Sequence, residues 1–211
     1  NGQAVAAYQI DNAFFESRAD EIWKNGYNVI ANCNILIQEL KGKPNSFFYE
    51  GKIEKDVIEG EARGIRALMH FDILRLFAPA PVVKDKDAYI PYVTEYPDHQ
   101  PMHLPVANVM DSIIADLEMA KRLLAENDTT LDRTGCRYVT SRFWGSSTGE
   151  MKGGLFFSYR GTRMNWFSAN ALLARAYLYN GDKVNAYRCA NEIYQFLENN
   201  SWYEFTASGN I

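Results

Sequence analysis

A serine in a glycine-rich stretch is the first feature of this 211-residue sequence whose residue types could carry out chemistry. Ser147 lies in a G-x-S-x-G pattern at residues 145–149, the pattern of an exposed nucleophilic serine at a strand-to-helix turn. No apolar strand precedes it, Gly153 and Gly154 interrupt any following helix, and all three histidines lie upstream. These features favour a loop and leave a hydrolase that uses Ser147 as a third-ranked function.

Two histidines have the spacing of metal ligands. His99 and His103 are four residues apart, which on a helix would place both side chains on one face. Pro101 lies between them and excludes a regular helix. We therefore predict loop histidines, no metal site and no cofactor, and we predict that His70 is a helix residue with a local hydrogen bond.

Aromatic residues in the predicted loops are the remaining chemical signal. A sugar ring has an apolar face of C–H groups and a rim of hydroxyls, so its site needs a flat aromatic platform beside planar polar groups. Core packing beneath a loop is the alternative, because aromatic side chains are mostly buried. Two clusters have the required composition: Tyr8, Asn12, Phe15 and Arg18, and Arg142, Phe143 and Trp144 with Glu150.

Five segments with apolar residues at steps of three and four predict five long helices. They cover residues 20–40, 53–77, 106–125, 163–179 and 183–198. Residues 1–19 are predicted to form an extended lead with at most a short helical turn. Residues 78–104 contain five of the seven prolines, and residues 127–161 are rich in Gly, Ser and Thr, so both are predicted to be long irregular segments, the second with at most a short hairpin. The predicted fold class is all-α.

The last two predicted helices have the spacing of a helical pair. Leu173, Tyr177, Gly181 and Ala186 fit L-x3-Y-x3-G-x4-A, which resembles a tetratricopeptide helix pair. We predict Leu173 and Tyr177 at the seam, Thr162 and Asp182 as helix caps, and Asn180-Gly181 as a left-handed stop. A tetratricopeptide-type adapter that binds a protein segment is therefore an alternative function. In the first helix, Gly26 is predicted to permit close approach by a neighbour.

Four charged residues lie in the apolar part of the second predicted helix, the central helix, from residue 62 onward: Arg63, Arg66, Asp72 and Arg75. The planar fork of arginine suits buried pairing with carboxylates and carbonyl groups. We predict that these residues fix neighbouring helices through such contacts, with a ligand-binding arginine as the alternative.

The central helix also carries the longest motif of the chain. Residues 60–77 read G-E-A-R-x-x-R-A-x-x-x-F-D-x-x-R-L-F, and a P-x-V exit follows. The first helix has W-x-x-x-Y-x-x-I-x-x-x-N at Trp23, Tyr27, Ile30 and Asn34, and residues 105–120 read P-V-x-x-V-M-D-x-I-I-A-D-L-E-x-A. These three blocks resemble those of SusD-like proteins, the glycan-binding outer-membrane lipoproteins of Bacteroidetes.

The resemblance implies a fold and a function. The fold would be all-α, with tetratricopeptide-like helical pairs and long irregular loops. The function would be non-enzymatic: a lipid-anchored protein at the cell surface captures oligosaccharide or polysaccharide and delivers it to a SusC-like TonB-dependent outer-membrane transporter. Family members are commonly much longer, so residues 1–211 would be a single N-terminal portion without its signal, lipobox and C-terminal part. Glycan contacts are predicted at Tyr8, Asn12, Phe15, Arg18 and Trp144.

Charge and cysteine content restrict the remaining classes of function. With 26 acidic and 22 basic residues the formal net charge is −4, and no basic run exceeds a pair, so we expect no nucleic-acid partner. The three cysteines, Cys33, Cys136 and Cys189, are odd in number and far apart. They are predicted to be small core residues rather than a disulfide framework.

Overall fold

The computed structural model describes residues 13–130, 135–143 and 154–202, and these residues are predominantly helical. Two short strands pair antiparallel, and among the described helices none is long and apolar enough to cross a membrane. The all-α prediction is confirmed, with a small two-stranded ribbon added. The helices are α1 (Ala13–Lys41), α2 (Lys52–Phe77), α3 (Val106–Thr129), α4 (Val139–Phe143), α5 (Trp166–Tyr179) and α6 (Lys183–Asn200), and the strands are β1 (Ala88–Pro91) and β2 (His103–Pro105).

Helix α1 begins earlier than the sequence pattern predicts. It starts at Ala13, so the prediction of an extended lead is wrong for residues 13–19. These turns are mostly exposed, so they show no apolar periodicity from which a helix could be predicted. Local contacts stabilise them instead: Arg18 pairs with Glu21 at 2.6 Å, and its guanidinium lies 5.3 Å from the centroid of the Phe14 ring.

The core lies between α2 and its neighbours. Helix α2 packs against α1 and α3, α3 packs against α5, and α5 packs against α6. Helix α2 is therefore an inner helix, covered by neighbours on more than one side. The largest fully buried apolar side chains come from these helices and from β1; they include Ile30, Phe71, Leu74, Ile90, Met110, Ile113, Leu117, Leu124 and Leu173.

Two glycines set how closely the helices around α2 approach one another. A Cβ atom at Gly26 of α1 would lie 2.8 Å from Cδ1 of Ile73 in α2. At Gly60 of α2 it would lie 2.8 Å from Cγ of Leu124 in α3. Both distances are shorter than carbon atoms tolerate, which confirms the prediction for Gly26 and gives the first glycine of the G-E-A-R motif a packing role.

Helices α5 and α6 form the predicted helical pair, with one correction. The N-cap of α5 is Asn165, not Thr162, because the side chains of Asn165 and Ser168 each accept the other's backbone N–H in a capping box. Gly181 has φ of 86° and ends the turn, as predicted. Asp182 caps α6 by accepting the N–H of Asn185 at 3.0 Å.

The two predicted irregular segments contain only short elements where they are described. Between α2 and α3 these are a 3-10 turn at Pro81–Val83 and the strands β1 and β2. After α3, which extends to Thr129, residues 135–143 and 154–165 hold α4 and a 3-10 turn at Gly154–Phe157, and no strand. The three cysteines are buried and free, which confirms their core assignment.

Candidate functional site

A buried polar cluster of the helical core is centred on Arg66 of α2, which is 3% exposed. Its Nε and Nη2 atoms donate to the two carboxylate oxygens of Asp116 in α3, both at 2.8 Å, and Nη1 donates to Oδ1 of Asn34 in α1 at 2.8 Å. Arg63 donates to the same Asp116 at 3.1 Å and also pairs with Glu59. The predicted ion pairing of Arg63 and Arg66 is confirmed, and it joins three helices.

The other charged pair of the central helix behaves differently. Arg75 and Asp72 approach within 3.4 Å of each other, and both side chains are more than two-fifths exposed. They belong to the same helix, so they pair locally and the prediction that they fix a neighbouring helix is wrong. The guanidinium of Arg75 also lies 5.6 Å from the centroid of the Phe71 ring.

Side chains of α1 hold residues 91–96, which begin at the last residue of β1 and are called here the exit segment. Three side chains that recur along one face of α1, those of Tyr27, Asn34 and Gln38, form hydrogen bonds with this extended backbone. Two of them, Tyr27 and Asn34, belong to the W-x-x-x-Y-x-x-I-x-x-x-N block. The hydroxyl of Tyr27 donates to the carbonyl of Pro91 at 2.9 Å, the amide of Asn34 donates to those of Val93 at 3.1 Å and Glu95 at 3.3 Å, and Gln38 exchanges two hydrogen bonds with the backbone of Tyr96 at 2.8 and 3.1 Å.

His70 binds the exit segment from α2. The backbone N–H of Val93 donates to its Nε2 at 3.0 Å, so Nε2 carries no proton and Nδ1–H donates to the carbonyl of Arg66 at 2.9 Å. The ring also stacks on Tyr92, with centroids 3.9 Å apart. Burial lowers the pKa of His70 to about 4, which keeps the ring neutral. The predicted local hydrogen bond is confirmed, and the contact with Val93 is an additional role.

Tyr92 closes the same cluster. Its hydroxyl donates to Asp116 at 2.5 Å. Burial, together with the neighbouring Asp116 carboxylate, holds the pKa of Tyr92 well above its ordinary value, so the hydroxyl remains a donor. Asp116 therefore accepts hydrogen bonds from Arg66, Arg63 and Tyr92 at once. A carboxylate occupied in this way supports the fold and is a poor general base.

A second buried network is centred on Arg160 and was missed from the sequence. Its Nε and Nη2 donate to the carboxylate of Asp128 at 2.9 and 2.7 Å, and Nη1 donates to Glu61. Asp128 also accepts the N–H of Trp166 at 2.8 Å, so the network joins α2, the end of α3 and the start of α5. Burial alone disfavours the charged guanidinium, but Asp128 and Glu61 raise the pKa of Arg160 above its ordinary value. The acidic residue of the G-E-A-R motif was the available signal.

A polar cleft of about 330 Å³ lies between the end of α1, the exit segment and α3. The Arg66–Asp116 pair is part of its lining. Lysine, carboxylate and hydroxyl groups also line the cleft, so it could form hydrogen bonds with a ligand rich in hydroxyl groups. Its polar lining residues are Lys41, Arg63, Arg66, Tyr92, Thr94, Glu95, Ser112 and Asp116.

Two of the five predicted glycan-contact residues are described. Phe15 is half-buried and Arg18 is exposed, both in the first turns of α1, where Arg18 is engaged with Glu21 and Phe14. Tyr8, Asn12 and Trp144 lie outside the described residues, as does Ser147.

The second predicted aromatic cluster contributes to structure through Arg142. This residue is 5% exposed, and its Nη1 donates to the carbonyls of Cys136 at 2.9 Å and Trp202 at 2.7 Å. Such an arginine secures backbone and offers no free face to a sugar. Phe143 beside it is 47% exposed.

The predicted loop histidines share no helix face. His99 lies in the irregular stretch before β2, which confirms the loop prediction for this residue. His103 is the first residue of that strand, so the loop prediction is wrong for His103, and its ring centroid is 6.5 Å from that of Trp23. Over the described parts of the chain, no group of three or more His, Cys, Asp or Glu residues is arranged to hold a metal ion.

Exposed aromatic rings distinguish the connection between α1 and α2. Tyr49 is 90% exposed and Phe47 is 65% exposed. The sequence patterns described above did not single out this connection. The signal was present as three successive aromatic residues, at positions 47–49, beside Asn45 and Glu50.

Comparison with solved structures shows the same fold in longer proteins. A SusD superfamily protein from Bacteroides thetaiotaomicron superimposes with a TM-score of 0.63 at 24% identity, covering 88% of this chain and 33% of that one. A SusD-like carbohydrate binding protein from Bacteroides vulgatus has a TM-score of 0.61 at 18% identity, covering 90% and 33%. This chain thus spans about a third of the length of these relatives.

Comparison with sequences gives the family. No curated protein sequence matches the chain. The profile of a SusD-like family, described as starch-binding and associating with the outer membrane, matches residues 3–134. That match extends through α3 and includes all three motif blocks, whose residues form the Arg66 cluster and hold the exit segment. The chain belongs to the SusD-like family.

Proposed function

We propose that this chain is the N-terminal portion of a cell-surface protein that captures oligosaccharides without cleaving them and delivers them to a TonB-dependent outer-membrane transporter. The observation that carries the proposal is the family match over residues 3–134, whose description is starch-binding and associating with the outer membrane. The name of the Bacteroides vulgatus relative, a carbohydrate binding protein, supports the same class of ligand.

The geometry is compatible with capture rather than turnover. The buried carboxylates Asp116 and Asp128 are each engaged by an arginine and by further donors. Groups suited to sugars lie at the surface instead, in the polar cleft and on the exposed rings of Phe47 and Tyr49. A lipid anchor in the complete protein would place these surfaces at the outer membrane, beside the transporter.

The predicted contacts at Tyr8, Asn12, Phe15, Arg18 and Trp144 stay part of this proposal. Titration of the full-length protein with an oligosaccharide, in the variants Phe15→Ala and Trp144→Ala, tests them. Weaker binding by either variant would support that part of the site. Unchanged affinity in both would remove these segments from the site and leave this portion with a scaffolding and docking role.

Affinity electrophoresis of the full-length protein tests the function directly. We expect retarded migration in gels that contain soluble starch or another polysaccharide, relative to an unrelated acidic protein of similar size. Unretarded migration in every polysaccharide gel would contradict glycan capture. Binding to an unstructured peptide library instead would support the adapter alternative, for which the α5–α6 helical pair is the favouring observation.

A further inference from the structure

We propose that residues 42–51, the aromatic loop, form a sugar-stacking platform of this protein, with Tyr49 as its main contact. The inference rests on the proposed glycan-binding function and names a site for it that the sequence patterns did not single out. The loop connects α1 to α2 and contains a 3-10 turn at Asn45–Phe47. The expected ligand is a pyranose ring of an oligosaccharide.

The first observation is the exposure of the two rings. Tyr49 is 90% exposed and Phe47 is 65% exposed. The hydrophobic effect favours burial of aromatic area, so rings held in solvent contribute little to folding. Neither residue packs against a core cluster of the described chain. Their position is therefore better suited to contact with a ligand than to stabilising this fold.

The second observation is the internal order of the loop. Backbone bonds close successive turns, from the N–H of Phe47 to the carbonyl of Pro44 at 3.0 Å and from the N–H of Gly51 to that of Phe48 at 3.1 Å. The ammonium group of Lys55 in α2 also donates to the carbonyl of Lys43 at 2.7 Å. A ring presented by an ordered backbone loses less conformational entropy on binding than a ring on a mobile tail.

The third observation is the chemistry around the rings. One face or edge of Phe47 is already engaged, by the Lys43 ammonium 5.3 Å from its centroid and by the edge-to-face ring of Phe48 at 5.2 Å. Tyr49 has the greater free area. An exposed amide, Asn45, and the carboxylate of Glu50 flank the rings in sequence. Flat apolar faces beside planar polar groups match a sugar ring with its hydroxyl rim.

The position of the loop extends this match beyond one sugar. Lys41, the last residue of α1, directly precedes the loop and also lines the polar cleft. The platform and a hydroxyl-binding cleft thus share the C-terminal end of α1. A protein partner is the alternative ligand for exposed rings, but a hot spot for protein binding needs an apolar surround that excludes water. The rings of this loop instead have polar neighbours in sequence: Lys43, Asn45, Ser46 and Glu50.

The test is oligosaccharide affinity of the full-length protein in matched tyrosine variants. Wild type is first screened against a polysaccharide panel that begins with soluble starch, and its ligand is then titrated into Tyr49→Ala, Tyr49→Phe, Phe47→Ala and Tyr187→Ala. Tyr187 is the control because it is also strongly exposed, at 72%, but lies on α6, which packs against α5. Because these side chains are exposed, thermal unfolding should be the same in all variants.

We expect Tyr49→Ala to weaken binding about fivefold or more and Phe47→Ala to weaken it less, because a stacked ring contributes on the order of 1 kcal/mol. Tyr49→Phe and Tyr187→Ala should keep wild-type affinity. Wild-type affinity in both alanine variants of the loop would overturn the platform and leave glycan capture intact at another site. Failure of wild type to bind any polysaccharide would overturn the proposed function and the platform together.

Discussion

Arg66 shows at the residue scale why a charge lies on an apolar helix. An unpaired buried charge is very costly, but the guanidinium of Arg66 has acceptors in Asp116 and Asn34, and a weaker one in the carbonyl of Thr94 at 3.4 Å. The same group therefore joins three helices and the exit segment. Its burial and its full set of partners favour structure over ligand binding for this arginine.

We predict that Arg66→Met destabilises the protein by about 3 kcal/mol or more, because Asp116 is left buried with a charge that only Arg63 and Tyr92 partly compensate. Chemical denaturation measures this change. The matched control is Arg75→Met on the same helix, whose ion pair is solvent-exposed; it should change stability by less than about 0.5 kcal/mol. Equal stability losses in the two variants would show that the Arg66 network contributes no more than a surface pair.

His70 gives a prediction for pH dependence. Its pKa is about 4 in the folded chain against an ordinary value of 6.5, because burial disfavours the charged ring. As pH falls through 6.5, the unfolded chain binds a proton that the folded chain does not. The free energy of unfolding therefore falls between pH 6.5 and about 4, and this residue leaves it unchanged above pH 6.5. From pH 7.5 to pH 5 the free energy of unfolding should fall by about 2 kcal/mol through this residue.

The variant His70→Gln isolates that contribution. Glutamine keeps an acceptor for the Val93 N–H but does not titrate, so denaturation at the two pH values should show a smaller loss in the variant than in wild type. Identical losses in both proteins would mean that His70 is not held neutral by the fold.

The sequence predicted that arginines of the central helix form buried ion pairs, but it did not predict which residues they pair with. Arginine on an apolar helix already indicated a buried ion pair. The partner Asp116 is 50 residues away and Asn34 is 32 residues away. Local periodicity does not specify which of the 26 acidic residues folds against Arg66. The Arg160 network was missed for the same reason, since Glu61 is 99 residues from Arg160.

At the element scale, periodicity predicted helices well where one face is buried. The central helix was predicted at residues 53–77 and runs over Lys52–Phe77. Periodicity failed where local contacts act alone, as in the exposed first turns of α1. The strands β1 and β2 were also missed, because their pairing depends on register across an intervening loop rather than on any local pattern.

The α5–α6 seam gives a prediction at this scale. Leu173 is fully buried, so Leu173→Ala should destabilise the protein by about 2–5 kcal/mol. Tyr177→Ala should also be costly, but less so, because Tyr177 is half-buried and its hydroxyl donates to Glu118 at 3.0 Å. Leu178→Ala is the control, since Leu178 on the same helix is 60% exposed. Melting temperatures that do not separate Leu173→Ala from Leu178→Ala would show that the helix-pair assignment is wrong.

At the scale of the whole molecule, the motif blocks of α1, α2 and α3 meet in one buried cluster that holds the exit segment. The blocks are far apart in sequence, so their shared role is visible only in the folded chain. Surface residues lie outside this scaffold, so we expect most substitutions there to leave it intact. That separation explains why the family could be recognised from sequence while the glycan contacts remained a prediction.

Glycan capture without turnover is the central proposal, and calorimetric titration of the full-length protein tests it most directly. The saccharide is the best ligand from the polysaccharide gels, and the recovered sugar is then analysed by chromatography. We predict saturable binding, with the saccharide recovered at its original length. New reducing ends that disappear in Ser147→Ala would make the protein a hydrolase, and the absence of any binding heat would contradict a glycan-binding role.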